Sequence, residues 1–496
     1  MTSNSSLIRG NMASPEEQLL LEKEMHMKNG ISITPSKSND NNRYGDKKHI
    51  EPVRLNPAWE EKNLPNDVLN FKSVTMEQAE RETNPPKDRF LIVYFIILTF
   101  GIGTMMPWNM FINAKSYFED YKLGSNYTNQ NLTFYTDNFM VFLGISSQVP
   151  NFLFNWVNIF ANIGGSLSSR IVCTIVAEAI VFVATEVLVM LDSSAWPEVF
   201  FWLTLASVFL LNMANGIYQN TVYGIAARLP AAYTGAVIFG NNLSGVFTSV
   251  MNIVTKSLSP SPKTSALYYF MVALLVLFVC FVIYFVLPLL KFYKFHDLQF
   301  IKAQSNAQEN SVVKKTPYWK VFKMCSLQCF NVFFIFFVTL AIFPAVHSNV
   351  QLVHDDFIVS PKYFADILCF LTFNVFAAFG NLLATVWHFP SGRWLHIPVI
   401  LRSAFIPLFL VCNYSLPGRI MPVLIENEWI YWGIAATFAL TSGWFSSLAM
   451  MYCGKSVPPE YSSVAGMFGA ACLVSGVCAG ILFAFVFPII VRSVHW

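Results

Sequence analysis

Residues 266–290 read ALYYFMVALLVLFVCFVIYFVLPLL, 25 positions without one charged side chain. A hydrocarbon layer about 30 Å thick is crossed by roughly 20 apolar residues at about 1.5 Å rise each, so this stretch predicts a membrane-spanning helix. A helix is required because backbone N–H and C=O groups in lipid must bond within their own segment. Carried outward, the same ruler finds about eleven spans, near 90–112, 138–161, 170–191, 199–219, 231–255, 266–290, 326–347, 364–388, 396–413, 429–451 and 463–490. Composition agrees: 54% of the 496 residues are hydrophobic and 12% are charged, about half the charged share of a soluble domain. The fold class expected is an all-α polytopic membrane protein.

Lys and Arg set the orientation, since they are retained on the cytoplasmic side. Their densest cluster, Lys291, Lys294, Lys302, Lys314, Lys315, Lys320 and Lys323, lies in the 291–325 connection. That connection reads as a cytoplasmic loop dividing the spans six plus five, with 90–290 as one bundle and 326–496 as the other. Residues 1–89 are polar, lack an apolar signal-peptide core and read as a disordered cytoplasmic tail. The connection after the first span then falls outside, and it carries two glycosylation sequons, at Asn126 and Asn131. Glu16 followed by Leu20 and Leu21 has the spacing of an acidic dileucine signal, which sorting adaptors would read; a short amphipathic helix is the alternative. The plasma membrane is the default location and an endolysosomal membrane the alternative.

A net charge of +3 is too small to point to nucleic acid. The nine cysteines fall mostly within apolar runs, as small hydrophobes, and predict no disulfide framework. Cys325 and Cys329 stand one helical turn apart with no histidine cluster nearby, which reads as packing, so no metal is expected. No P-loop, zinc-protease or nucleophile-elbow pattern appears, which argues against an enzyme, a cofactor and direct ATP drive.

Polar side chains inside spans are either interhelical glue or pathway. In the first span Pro107 kinks the chain beside Trp108 and Asn109, an aromatic plate and an amide. Asn212, Asn215 and Gln219 fall on one face of the fourth span, an uncharged stripe suited to a neutral, hydrogen-bonding solute. Asn241 and Asn242 in the fifth span and Asn374 and Asn381 in the eighth add further amides. Glu178 and Glu186, two turns apart in the third span and so expected on one face, are the acidic exception: buried and protonated, coupling a proton or cation to transport, or bonded to the amides of the fifth span. Arg402 opens the ninth span and is expected to snorkel or to pair with a loop carboxylate.

From about residue 87 onward the chain resembles the equilibrative nucleoside transporter family. The resemblance rests on Gly101-Ile102-Gly103-Thr104-Met105-Met106-Pro107-Trp108-Asn109 with Phe111, Ala114, Tyr117 and Phe118, and on Gln219, Tyr223-Gly224, Leu229-Pro230 and Tyr233-Thr234. Phe343-Pro344-Ala345-Val346, Arg402 with Pro407-Leu408 and Cys412-Asn413, and the run Gly443–Pro458 extend it. It implies eleven spans in a major-facilitator-like pair of bundles rocking around a midplane site lined by Trp108, Asn109 and Gln219. It also implies a neutral nucleoside such as adenosine or uridine moving down its gradient.

The eighth span departs from the family pattern Phe-Asn-x-x-Asp-x-x-Gly-Arg, with Ala377 at the Asp position and Asn381 at the Arg position. Losing both partners avoids an unpaired charge in the membrane. Asn381 and Asn374 can still bond a solute, without the Arg fork. The tenth span has Ser442 where the family usually shows Asn. Two alternatives stand beside facilitative nucleoside transport: a proton-coupled or organic-cation transporter using Glu178 and Glu186, and a non-transporting relative.

Overall fold

The computed structural model describes residues 85–493 apart from 114–116, 129–131, 162–165, 259–261, 310–316, 355–356 and 415–418. Six long helices come first: α1 (Ile92–Asn113), α2 (Thr133–Phe160), α3 (Leu167–Met190), α4 (Pro197–Ala226), α5 (Ala231–Leu258) and α6 (Pro262–Val286). After α7 (Lys291–Glu309) come α8 (Tyr318–Ile342), α9 (Thr372–Val386), the short α10 (His396–Leu401) and α11 (Phe405–Leu410), then α12 (Glu428–Lys455), α13 (Ser462–Ala484) and α14 (Val486–Ser493). Among the described residues, extended backbone pairs only as two isolated bridges, Val350 with Tyr414 and Cys412 with Ile425.

The helix starts are written in side chains. The Asp88 carboxylate accepts from the backbone N–H of Val93 at 3.1 Å and of Tyr94 at 3.0 Å, satisfying donors the first turn of α1 leaves open. It also accepts from the Tyr233 hydroxyl at 2.9 Å, which ties α1 to the start of α5. Asn427 caps α12 in the same way, accepting from Trp429 N–H at 2.9 Å and Ile430 N–H at 3.2 Å. Pro197 stands at the first position of α4, where its missing N–H costs nothing.

Large apolar side chains remain on the outside. Ile180, Leu275 and Phe278 are all more than 60% exposed in the isolated chain, which suits a surface facing lipid tails. Among the described residues nine helices are long and apolar enough to cross a membrane. The other two expected spans differ. Helix α2 has the length, 28 residues, but carries Gln148, Asn151, Asn155 and Asn158. Residues 396–410 are broken into α10, a 3-10 turn at Arg402–Ala404 and α11, shorter than the layer is thick.

The 291–325 connection, read as a loop, contains the 19-residue α7, and α8 begins at Tyr318. Its apolar residues explain the helix: Phe292 stacks on Tyr233 at 5.3 Å and Phe300 is buried beneath the Arg228 guanidinium at 4.4 Å. Arg228 also pairs with Asp297 at 2.7 Å, fastening α7 to the turn between α4 and α5. Inside, α1 and α5 cross with their backbones in contact. A Cβ at Gly240 would overlap the Leu98 carbonyl, and one at Gly101 the Val237 carbonyl, so only glycine allows this approach.

Candidate solute site

Asn109 and Asn374, far apart in sequence, converge on adjacent residues of α5. The Asn109 amide donates to the Ser244 hydroxyl at 3.1 Å. Asn374 lies on Gly245, donates to Phe370 O at 2.9 Å and reaches Ser249 Oγ at 3.5 Å. The α5 helix thus brings an amide of the first half beside one of the second. Trp108, next to Asn109, is only partly buried.

The stripe on α4 divides by partner. Asn220 is glue: its amide donates to Met467 O at 2.8 Å and accepts from Asn158 at 2.9 Å, joining α4 to α13 and α2. Asn241 is glue as well, 2.7 Å from Thr104 Oγ1 and 3.3 Å from the Tyr223 hydroxyl. Gln219 is different. It is 1% exposed, yet neither its Nε2 nor its Oε1 has a hydrogen-bond partner. Asn215 Oδ1 and Asn212 Oδ1 are also without partners, although Asn212 Nδ2 donates to Val208 O at 2.9 Å. Leaving a buried amide unsatisfied costs roughly 1–3 kcal/mol per group, a cost that a bound solute with complementary donors and acceptors removes.

On α9, Ala377 and Asn381 are 1% and 0% exposed and lie one turn apart, so a charge at either position would be fully buried. Asn381 is held by the Ser447 hydroxyl of α12 at 3.0 Å and keeps an unpartnered Nδ2. Ser447 escaped the sequence reading, although a serine pair at 446–447 inside an apolar span was its signal. Ser442 bonds Thr339 at 3.0 Å, within the group around Arg402.

Arg402 neither snorkels nor meets a carboxylate. It is 2% exposed and donates at 3.2 Å to each of four neutral acceptors: Thr441 Oγ1, Ile335 O, Thr339 Oγ1 and Phe438 O. The broken helix at 396–410 explains this, because it delivers the guanidinium inward among carbonyls. Glu178 and Glu186 also part company. Eight residues advance a helix about 80° beyond two turns, and the structure buries Glu178 completely while leaving Glu186 partly exposed. Neither carboxylate oxygen of Glu178 has a hydrogen-bond partner, so it does not bond the amides of α5. Tyr218 and Cys280 are among the groups near it.

The halves are bridged at both ends. Asn220 to Met467 and Trp156 to Ser475, the latter at 3.0 Å, join them toward the end bearing Arg228 and α7. Asn252 to Asp366, at 3.2 Å, joins them toward the opposite end. Asn126 lies in a helical turn, Ser125–Thr128. Asn131 and the Glu16, Leu20 and Leu21 signal lie outside the described residues.

Comparison with known proteins adds three findings. The pattern describing the nucleoside transporter family matches residues 205–311 and 298–489. Human equilibrative nucleoside transporter 1 is 30% identical over 462 residues, covering 82% of this chain and 99% of that one, and rat equilibrative nucleoside transporter 3 is 28% identical over 428 residues, covering 78% and 89%. The major facilitator proton:xylose symporter XylE superposes with a TM-score of 0.52 at 12% identity, over 82% of this chain and 90% of its own, a likeness of fold.

Proposed function

This chain belongs to the equilibrative nucleoside transporter family, and from that premise we propose that it carries nucleosides across a membrane, down their gradient, by alternating access. The observation that carries the reading is the buried Gln219 amide with both polar atoms unsatisfied. A nucleoside is neutral and rich in donors and acceptors, and an amide can serve both kinds at once. Asn381, with its open Nδ2, is the second recognition group, and Trp108, Asn109 and Asn374 complete the site around α5. The bridges at the two ends of the halves serve as alternate gates, and one must part for solute to enter and the other for it to leave.

Glu178 is fully buried with neither carboxylate oxygen hydrogen-bonded, a place where a lone charge is costly, so it is read as protonated and no coupled ion is assigned. The end bearing α7 and Arg228 is taken as cytoplasmic, which puts the Asn126 and Asn131 sequons outside as glycan acceptors. The plasma membrane is the proposed site of action, with Glu16, Leu20 and Leu21 available to sorting adaptors.

The test is uptake of tritiated adenosine at pH 7.4 in cells lacking endogenous nucleoside transport, with Leu20 and Leu21 changed to Ala to favour surface delivery. Saturable uptake, competed by unlabelled uridine and cut at least tenfold by Gln219→Ala, is expected. Absence of uptake by protein confirmed at the surface would overturn the proposal.

A further inference from the structure

Three sulfurs that the sequence scatters meet inside the second half. Cys325 and Cys329 of α8 stand one turn apart with their Sγ atoms at 3.7 Å, and Cys453 of α12 comes to 4.0 Å from Cys329. All three Sγ atoms lie within 4.8 Å of one another. The residues are 0%, 2% and 0% exposed. A metal–thiolate bond of about 2.3 Å in a trigonal plane separates its sulfurs by about 4.0 Å. Two of the three separations already have this value within a few tenths of an ångström, and the third needs to close by less than about 1 Å.

We propose that Cys325, Cys329 and Cys453 form a binding site for one soft monovalent metal ion, Cu(I). Sulfur donors select soft ions, and the surroundings choose the charge. The side chains packed with the three cysteines are apolar, among them Val321, Val457, Ala465, Phe468 and Ala471, with a fourth cysteine, Cys472, beside Cys329. In such a place net charge is expensive. One Cu(I) replacing one thiol proton leaves the charge of the site unchanged, with the other two sulfurs contributing lone pairs and the proton passing to solvent. A divalent ion must displace two protons to reach the same balance.

Cys453 is two residues from Lys455, the last residue of α12, so it lies about half a turn inside the helix end. Without metal the thiols have weak partners, Cys325 toward Val321 O at 3.3 Å and Cys453 toward Ala465 O at 3.2 Å, so the cluster survives empty. Bound metal would staple α8 to α12 within one half of the molecule, stiffening that half without crossing the interface between halves.

The experiment uses the full chain, purified in detergent and stripped of metal, then titrated with Cu(I) held reduced by ascorbate and buffered by a chromophoric chelator. Expected are one tightly held equivalent, near-ultraviolet sulfur-to-copper absorption, and a rise of several degrees in the thermal midpoint. Cys329→Ser and, separately, Cys453→Ala should lose all three, whereas Cys173→Ser, which alters an exposed thiol, should keep them. Circular dichroism of the stripped variants establishes that they are folded. Wild-type protein retaining no more copper than Cys329→Ser, or Cys173→Ser losing the equivalent, overturns the site. Retention of Zn(II) in preference to Cu(I) overturns the choice of ion.

Discussion

The Asn374 side chain of α9 rests on Gly245 of α5 so closely that a Cβ at Gly245 would fall on the amide itself. The obstacle is the far end of a side chain, which can swing away. Gly245→Ala should therefore leave the fold intact while displacing Asn374 from the solute site, raising the apparent KM for adenosine about tenfold. Gly240→Ala meets the Leu98 backbone, which cannot move aside. It should cost about 1–3 kcal/mol, the usual price of overpacking, and lower the thermal midpoint. Equal thermal losses in the two variants would refute this distinction, which differential scanning fluorimetry can resolve.

Gln219 and Asn220 are neighbours with opposite expected signatures. Gln219→Met keeps the side-chain shape and removes a buried donor and acceptor that have no partners, so stability should hold or rise while uptake falls at least tenfold. Asn220→Ala breaks bonds to Met467 and Asn158 and should destabilise by about 1–3 kcal/mol. A Gln219→Met protein that melts earlier and still transports would place Gln219 with the glue.

The spans were legible because runs such as 266–290 leave no alternative to a membrane helix. The count was harder to read, since α2 is diluted by Gln148, Asn151, Asn155 and Asn158, and 396–410 is interrupted at Arg402. Spacing placed Asn212, Asn215 and Gln219 on one face but could not say which amides have partners. Asn220 and Asn241 are satisfied by helices distant in sequence, and nothing local distinguishes them from Gln219. Cys453 lies 124 residues from Cys329, so local spacing showed only the Cys325/Cys329 pair.

The connection after α1 carries a titratable clamp. Lys122 is 1% exposed and donates to Leu191 O at 2.6 Å and Ser193 Oγ at 3.2 Å, while the Tyr127 hydroxyl donates to Asp192 at 2.7 Å. Burial first, and Lys263 second, pull the Lys122 pKa from 10.5 to about 8, with Asp192 opposing. A base whose pKa is lower folded than unfolded penalises the folded state while it is protonated in both. That penalty is constant below pH about 8 and is relieved as pH rises from there to 10.5. The thermal midpoint of the wild type minus that of Lys122→Met should therefore be flat up to about pH 8 and climb above it. A difference that falls over this range would contradict the burial of the ammonium.

Where the resemblance places an Asp and an Arg, α9 carries Ala377 and Asn381 one turn apart, and both positions are buried. Asn381→Arg alone puts a cation there without its carboxylate, and about 3–5 kcal/mol of destabilisation is expected, seen as loss of surface protein. Ala377→Asp alone should do the same with opposite sign of charge. The double variant restores an i, i+4 pair, in which each group satisfies the other, and should recover most of the surface protein that either single change loses. The coupling read from this double-mutant cycle is the decisive quantity. A double variant no better than the sum of the singles would mean that the surroundings of Asn381, including Ser447, no longer accommodate a guanidinium, and that the exchange to an uncharged pair has become locked by the packing around it.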